Sequence, residues 1–180
     1  MNAFQMMMNQ NQNQNQKPYL EKKTHSGYSI IKGSDETKED SCSLLQFDGL
    51  SQPNPGTSTA GAVIFSPSPR KPTSERGEFM NYATNNQAEY TGLLIGLKAA
   101  KELNIKCLLI EGDSQLVIYQ TEGKWKVTND ALKVLHKEIK DLLTNFEFVA
   151  IRHVRREYNK YADKITNDVL ETRQSFSRNI

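Results

Sequence analysis

Residues 106–117 read Lys106-Cys107-Leu108-Leu109-Ile110-Glu111-Gly112-Asp113-Ser114-Gln115-Leu116-Val117. Lys106–Glu111 is a short, almost wholly apolar strand, followed by Gly112. That is how a central strand of a parallel sheet reads when both its faces are covered. Ser114 then opens a short helix predicted over Ser114–Thr121. Upstream, a helix is predicted from Gln87 to Leu103, with Tyr90, Leu93, Leu94, Leu97, Ala100 and Leu103 at helical spacing and Asn104 closing it. Before it, Ser43–Gly49, Ala60–Ser66 and Gly77–Ala83 read as three strands. The turn-rich Ser51-Gln52-Pro53-Asn54-Pro55-Gly56 separates the first two, so the three form an antiparallel meander. Downstream come an amphipathic helix (Asp130–Leu143), a strand (Phe146–Val154) and a last helix (Lys160–Thr172). The order βββ-α-β-α-α-β-α describes a mixed sheet with helices packed on it, an α/β fold.

The rest of the 180 residues has a different composition. Residues 1–41 carry 11 apolar residues and residues 42–180 carry 55. The first segment contains four Asn-Gln repeats over Asn9–Gln16, then a polar stretch with five Lys and five acidic residues. Such a tract has no apolar face to bury. Residues 1–41 are therefore expected to be a disordered low-complexity tail, and residues 42–180 one folded domain. Tyr28, Ile30 and Ile31 are the tail's one candidate strand or binding peptide, with a plain linker the reading adopted. No apolar run approaches the ~20 residues of a membrane span, and no secretory leader pattern is present. Cys42 and Cys107 are expected to stay reduced, Cys107 as a small hydrophobe. An intracellular location follows (cytoplasm or nucleus, not secreted). The net charge of +2 does not by itself announce a nucleic-acid partner.

The informative acids stand at strand and helix ends. Asp48 closes the apolar run Leu44-Leu45-Gln46-Phe47, and Asp113 follows the central strand. Glu89 and Asp163 fall in the predicted first turns of helices. In α/β sheets, sites form beyond the carboxyl ends of strands, so these four carboxylates can converge. Four gathered acids repel unless cations neutralise them, and hard divalent ions with oxygen ligands are the natural counter-charges. Taken singly, any of them could equally be a helix cap or a solvated charge.

Four strings then point one way. Phe47-Asp48-Gly49, followed by Asn54-Pro55-Gly56, resembles the first-strand motif of type 1 ribonuclease H. Thr84-Asn85-Asn86-Gln87-Ala88-Glu89 resembles its second motif, and Asp113-Ser114-Gln115 its third. His153-Val154-Arg155-Arg156-Glu157-Tyr158-Asn159-Lys160-Tyr161-Ala162-Asp163 resembles its last. The likeness runs from residue 43 to about 172. It implies a ribonuclease H-like fold: a five-stranded mixed sheet (three-strand antiparallel meander plus two parallel strands) with helices on both faces. It also implies a metal-dependent endonuclease that hydrolyses the RNA strand of RNA–DNA hybrids to 5′-phosphate and 3′-hydroxyl ends. Asp48, Glu89, Asp113 and Asp163 match the family's metal-binding catalytic carboxylates. By that resemblance two Mg²⁺ ions are the expected cofactors, with Mn²⁺ able to substitute. Asn54, Asn86 and Gln115 match contacts to RNA 2′-hydroxyls, and Thr84 a contact to a DNA phosphate. Asn54 and Asn86 are also ordinary turn and cap residues. The expected partner is the hybrid duplex, acted on by a monomer with no obligate protein partner.

The chain departs from the family's pattern in places. His153 stands ten residues before Asp163, where many members carry a histidine for proton transfer or product release. Theirs lies on a glycine-containing loop, whereas here Arg152, Val154, Arg155 and Arg156 surround it. The strand can run through it, so a structural or nucleic-acid-contacting histidine and a catalytic one both remain open. The same arginines are candidate phosphate contacts. No long basic protrusion is present, as in the short archaeal and plant-type forms. Trp125, between Lys124 and Lys126, is read as a packing residue.

Overall fold

The structure, a computed structural model, describes residues 24–25, 27–34, 36–37 and 39–180. The Asn-Gln tract, and with it most of the expected tail, lies outside the described residues. Among the described residues, eight strands form one sheet: β1 (Thr24–His25), β2 (Tyr28–Lys32), β3 (Ser43–Ser51), β4 (Gly56–Phe65), β5 (Pro72–Ala83), β6 (Cys107–Gly112), β7 (Phe148–His153) and β8 (Phe176–Asn179). Their spatial order is β1-β2-β7-β6-β3-β4-β5-β8. The five expected strands are its centre. The meander β3-β4-β5 is antiparallel, and β6 and β7 run parallel to β3.

Among the described residues, four α-helices cover the two faces: α1 (Asn85–Glu102), α2 (Gln115–Glu122), α3 (Asp130–Leu143) and α4 (Lys160–Thr172). On one face Leu45, Phe47, Ile110 and Ile151 pack with Leu93 and Leu97 of α1, Ile118 of α2 and Ile139 of α3. On the other, Val63 packs against Ala162, Ile165 and Val169 of α4. Ala62 and Ile64, on either side of Val63, join the first core, so successive residues of β4 serve opposite cores, as period-2 strand geometry requires. Among the described residues, no helix is long and apolar enough to cross a membrane.

Three departures from expectation have physical causes. The sheet has eight strands rather than five, because both its edges are extended. β8 pairs antiparallel with β5 in the register Glu75↔Arg178, and the buried Glu75 carboxylate accepts hydrogen bonds from Arg178 and Tyr161.

The folded unit also does not begin at residue 42. Tyr28–Lys32 pairs antiparallel with β7, Ser29 against Ile151 and Ile30 against Ala150. Tyr28 is buried among Leu109, Phe148 and Ala150, so this part of the expected tail is an edge strand. Thirdly, Cys42 and Cys107 are joined in a disulfide, where free thiols were expected. The parallel register that sets Ser43 opposite Leu108 brings the preceding pair, one step back on each strand, to a Cα–Cα distance of 4.6 Å.

Candidate active site

The carboxyl ends of β3 and β6 and the start of α1 meet because backbone approaches backbone there. A Cβ on Gly49 would lie 2.2 Å from the Glu89 nitrogen, and one on Gly92 would lie 2.4 Å from the Asp48 carbonyl oxygen. Only glycine allows strand and helix this close. Thr84 fixes where α1 begins: its hydroxyl accepts from the Gln87 N–H while the Gln87 side chain accepts from the Thr84 N–H, a reciprocal capping box. The helix therefore starts at Asn85, and Glu89 sits just beyond its first turn rather than within it.

Asp48, Glu89 and Asp113 each present a carboxylate oxygen within 4.8 Å of the others. Asp163, in the first turn of α4, lines the same cavity of about 130 Å³. The structure thus gathers all four acids singled out in the sequence. Burial above all, then the Asp113 charge, pushes the Asp48 carboxyl up to about 7, although the Gly49 N–H pulls the other way. Glu89 is raised well above the carboxylate range, first by burial and then by Asp48 and Asp113. Its Oε2 is buried and has no hydrogen-bond partner among the described residues. A buried, unpartnered carboxylate oxygen facing two more acids is a costly arrangement. Hard oxygen donors at this spacing fit a divalent cation.

Neighbouring side chains hold the acids in place. Asn159, fully buried, donates from its Nδ2 to Asp113 Oδ1 (2.8 Å) and to the Phe47 carbonyl (2.8 Å), tying the ends of β6 and β3 together. The Thr166 hydroxyl lies 3.3 Å from Asp48 Oδ2. Arg156 donates to Asp163 Oδ1 at 2.6 Å, and that hydrogen bond, reinforced by the Asp163 charge, raises the guanidinium pKa further. Asn159, Thr166 and Asn85, which also lines the cavity, were not picked as site residues. Two signals were available: Asn159 lies four residues before Asp163, one turn of α4, and Thr166 lies three after it.

The remaining candidates are distributed around the cavity. Asn54 Oδ1 accepts from the Asn85 N–H at 2.9 Å, a turn role. Asn86 and Gln115 are exposed, and Thr84 serves the cap. His153 is the last residue of β7, so the strand reaches it and ends there rather than running on through Val154. Its Nε2 lies 3.2 Å from the Asp113 carbonyl oxygen. The three arginines have separate surroundings. Arg156 is on Asp163, Arg155 is exposed, and Arg152 is bound to buried Glu111 (Nε to Oε1, 3.0 Å). Trp125 packs edge-on against Tyr119 with ring centroids 5.0 Å apart, yet remains about half exposed.

Comparison with known proteins assigns this arrangement to a class. Residues 46–169 match the family described as reverse transcriptase-like. The ribonuclease HI of Halobacterium salinarum is 38% identical over 125 residues, which span 69% of this chain and 62% of that protein. The crystal structure of ribonuclease H1 from the same archaeon superposes with a TM-score of 0.69 at 36% identity, covering 72% of this chain and 98% of that one. The N-terminal ribonuclease H domain of a bifunctional Mycobacterium tuberculosis protein gives 0.70 at 34% identity, over 72% of this chain and 94% of that one. The match spans only 35% of that whole mycobacterial protein. A ribonuclease H1 isolated from compost, solved in complex with RNA/DNA hybrid, gives 0.66 at 25% identity, covering 70% of this chain and 94% of its own. The chain belongs to the type 1 ribonuclease H family.

Proposed function

We propose that this chain is a divalent-metal-dependent endonuclease that hydrolyses the RNA strand of RNA–DNA hybrids to 5′-phosphate and 3′-hydroxyl products. The observation that carries this reading is the convergence of Asp48, Glu89, Asp113 and Asp163 on one cavity, in a member of a family that includes a hybrid-bound relative. Asp48, Glu89, Asp113 and Asp163 would hold two Mg²⁺ ions, or Mn²⁺ in their place. Such ions supply an activated water and neutralise charge on the leaving oxygen of a phosphodiester.

The chain's own groups do the positioning. Asn159 fixes the rotamer of Asp113 against β3, and Thr166 orients Asp48. His153 holds the Asp113 backbone. Arg156, already in the cavity, pairs with Asp163 and offers further guanidinium donors to an incoming phosphate. Arg155 extends that cationic edge, with Arg152 behind it held on Glu111. RNA 2′-hydroxyls lie in a wide minor groove that polar side chains can reach. The exposed amides of Asn86 and Gln115 suit them, as does the amide nitrogen of Asn54, whose oxygen is used on Asn85. The Thr84 hydroxyl proton serves a DNA phosphate. All four carboxylates come from one chain, so the reading requires no second subunit.

The test is a cleavage panel with Mg²⁺ on hybrid, duplex DNA and duplex RNA. The RNA of the hybrid alone should be cut, and Asp113→Asn should lose that activity by at least a hundredfold. Cleavage unchanged in Asp113→Asn would remove the proposed site.

A further inference from the structure

Behind the carboxylate cluster, at the ends of β6 and β7 on the α4 side of the sheet, lies a second and larger cavity of about 650 Å³. It is within the range of small-ligand sites. Its lining includes Glu111, Arg152, His153, Arg155 and Tyr158, and Gly27 from the turn between β1 and β2. Gly27 precedes the segment that matches the family, so the N-terminal hairpin closes a wall that this segment alone does not supply.

Its base is built rather than incidental. Glu111 is buried and accepts from the Tyr28 hydroxyl (2.5 Å), from Gln46 Nε2 (2.9 Å) and from Arg152 Nε (3.0 Å). The Arg152 guanidinium lies over the Tyr28 ring, 4.2 Å from its centroid. The Arg152 charge is thus offset by Glu111 and its geometry locked. Above this base stand two exposed groups. The Arg155 side chain is 81% accessible, and its only ion pair among the described residues is a 3.9 Å contact to exposed Glu157, which counts for little in solvent. Tyr158 is 66% exposed, while its carbonyl accepts from Gln46 and anchors the backbone (3.1 Å). An accessible guanidinium beside an accessible aromatic ring recognises an anion joined to a flat ring. In a nucleic-acid enzyme that means a phosphate and a base. A paired base stays in its stack unless it is flipped out at a cost. An unpaired nucleotide has a face to offer Tyr158 at once.

We propose that this cavity binds one unpaired nucleotide of a single-stranded extension running off the hybrid, with its base stacked on Tyr158 and its phosphate on Arg155. The proposal rests on the hybrid-cleaving reading of the neighbouring site but is tested separately from it. Binding is measured by fluorescence anisotropy in the full-length Asp113→Asn protein with Mg²⁺. Blunt hybrids are compared with the same hybrids carrying an RNA or a DNA extension at either end. An extension should tighten binding about fivefold or more. Adding Tyr158→Ala should abolish the gain, and Tyr158→Trp should keep it. Tyr158→Ala alone should cut blunt hybrid at the wild-type rate. The arm that shows the gain identifies the strand bound. Equal affinity for blunt and extended hybrids, or a gain that survives Tyr158→Ala, overturns the proposal. Failure of the wild type to cut blunt hybrid would instead count against the catalytic reading.

Discussion

Asp48→Asn should abolish cleavage and, without metal, stabilise the fold. Asp48 has a carboxyl pKa of about 7 in the folded chain against 3.8 ordinarily. Between those values the folded state binds more protons than the unfolded one, so stability falls as pH rises from about 4 to about 7. Above that window the full difference applies, about 4 kcal/mol at ~1.36 kcal/mol per pH unit. Asparagine keeps the shape and an acceptor for the Gly49 N–H and the Thr166 hydroxyl, and the charge assistance of both bonds is already contained in the shift to about 7. The variant, neutral at every pH, should therefore gain up to about 4 kcal/mol over wild type above that window. The assay is urea unfolding followed by circular dichroism, in EDTA, at pH 8 and at pH 4. The variant should be more stable than wild type at pH 8 and no more stable at pH 4. Saturating Mg²⁺ should narrow the difference at pH 8, because metal binds only the wild-type set well. A variant no more stable than wild type at pH 8 in EDTA, or a gain equally large at pH 4, would refute the account of buried repulsion among these acids.

Three further outcomes follow from the same geometry. Gly92→Ala sets a methyl 2.4 Å from the Asp48 carbonyl oxygen; it should cost about 1–3 kcal/mol in urea unfolding and depress kcat by displacing Glu89. Asn159→Ala frees Asp113 from β3 and should lower metal affinity or kcat about 10–100-fold, measured by Mg²⁺ titration of the rate. Tyr28→Phe leaves Glu111 short of one donor and should cost about 1–3 kcal/mol, with faster hydrogen exchange confined to β2 and its pairing with β7.

The centre of the fold was legible because each of its elements carries its own pattern. Cys107–Ile110 could only be a covered strand, and Tyr90, Leu93 and Leu97 could only face a core from a helix. The four carboxylates were legible for a related reason: each stands beside a local string that fixes its place at an element's end. The edges were not. Tyr28–Lys32 and Phe176–Asn179 alternate weakly and gain their structure from partners about a hundred residues away or more. Tyr28 in particular is buried because Glu111 needs its hydroxyl, which no local window reveals. The Cys42–Cys107 bond depends on parallel register, a property of two strands rather than of either. Arg156 was picked for phosphate, but its pairing with Asp163 depends on the turn Arg156–Tyr158 folding the chain back onto α4.

The added edge strands change which edges the sheet presents. β7 and β5 carry the machinery's outer margins, and each would be an open edge without β2 and β8. A row of unpaired amides and carbonyls on an apolar strand such as Phe148–Ile151 is a template for a neighbouring chain. Trimmed to the family-matched residues 46–169, the protein would expose both margins at once. The short terminal strands therefore act as selvedges, finishing the fabric of the sheet so that copies of it do not knit together.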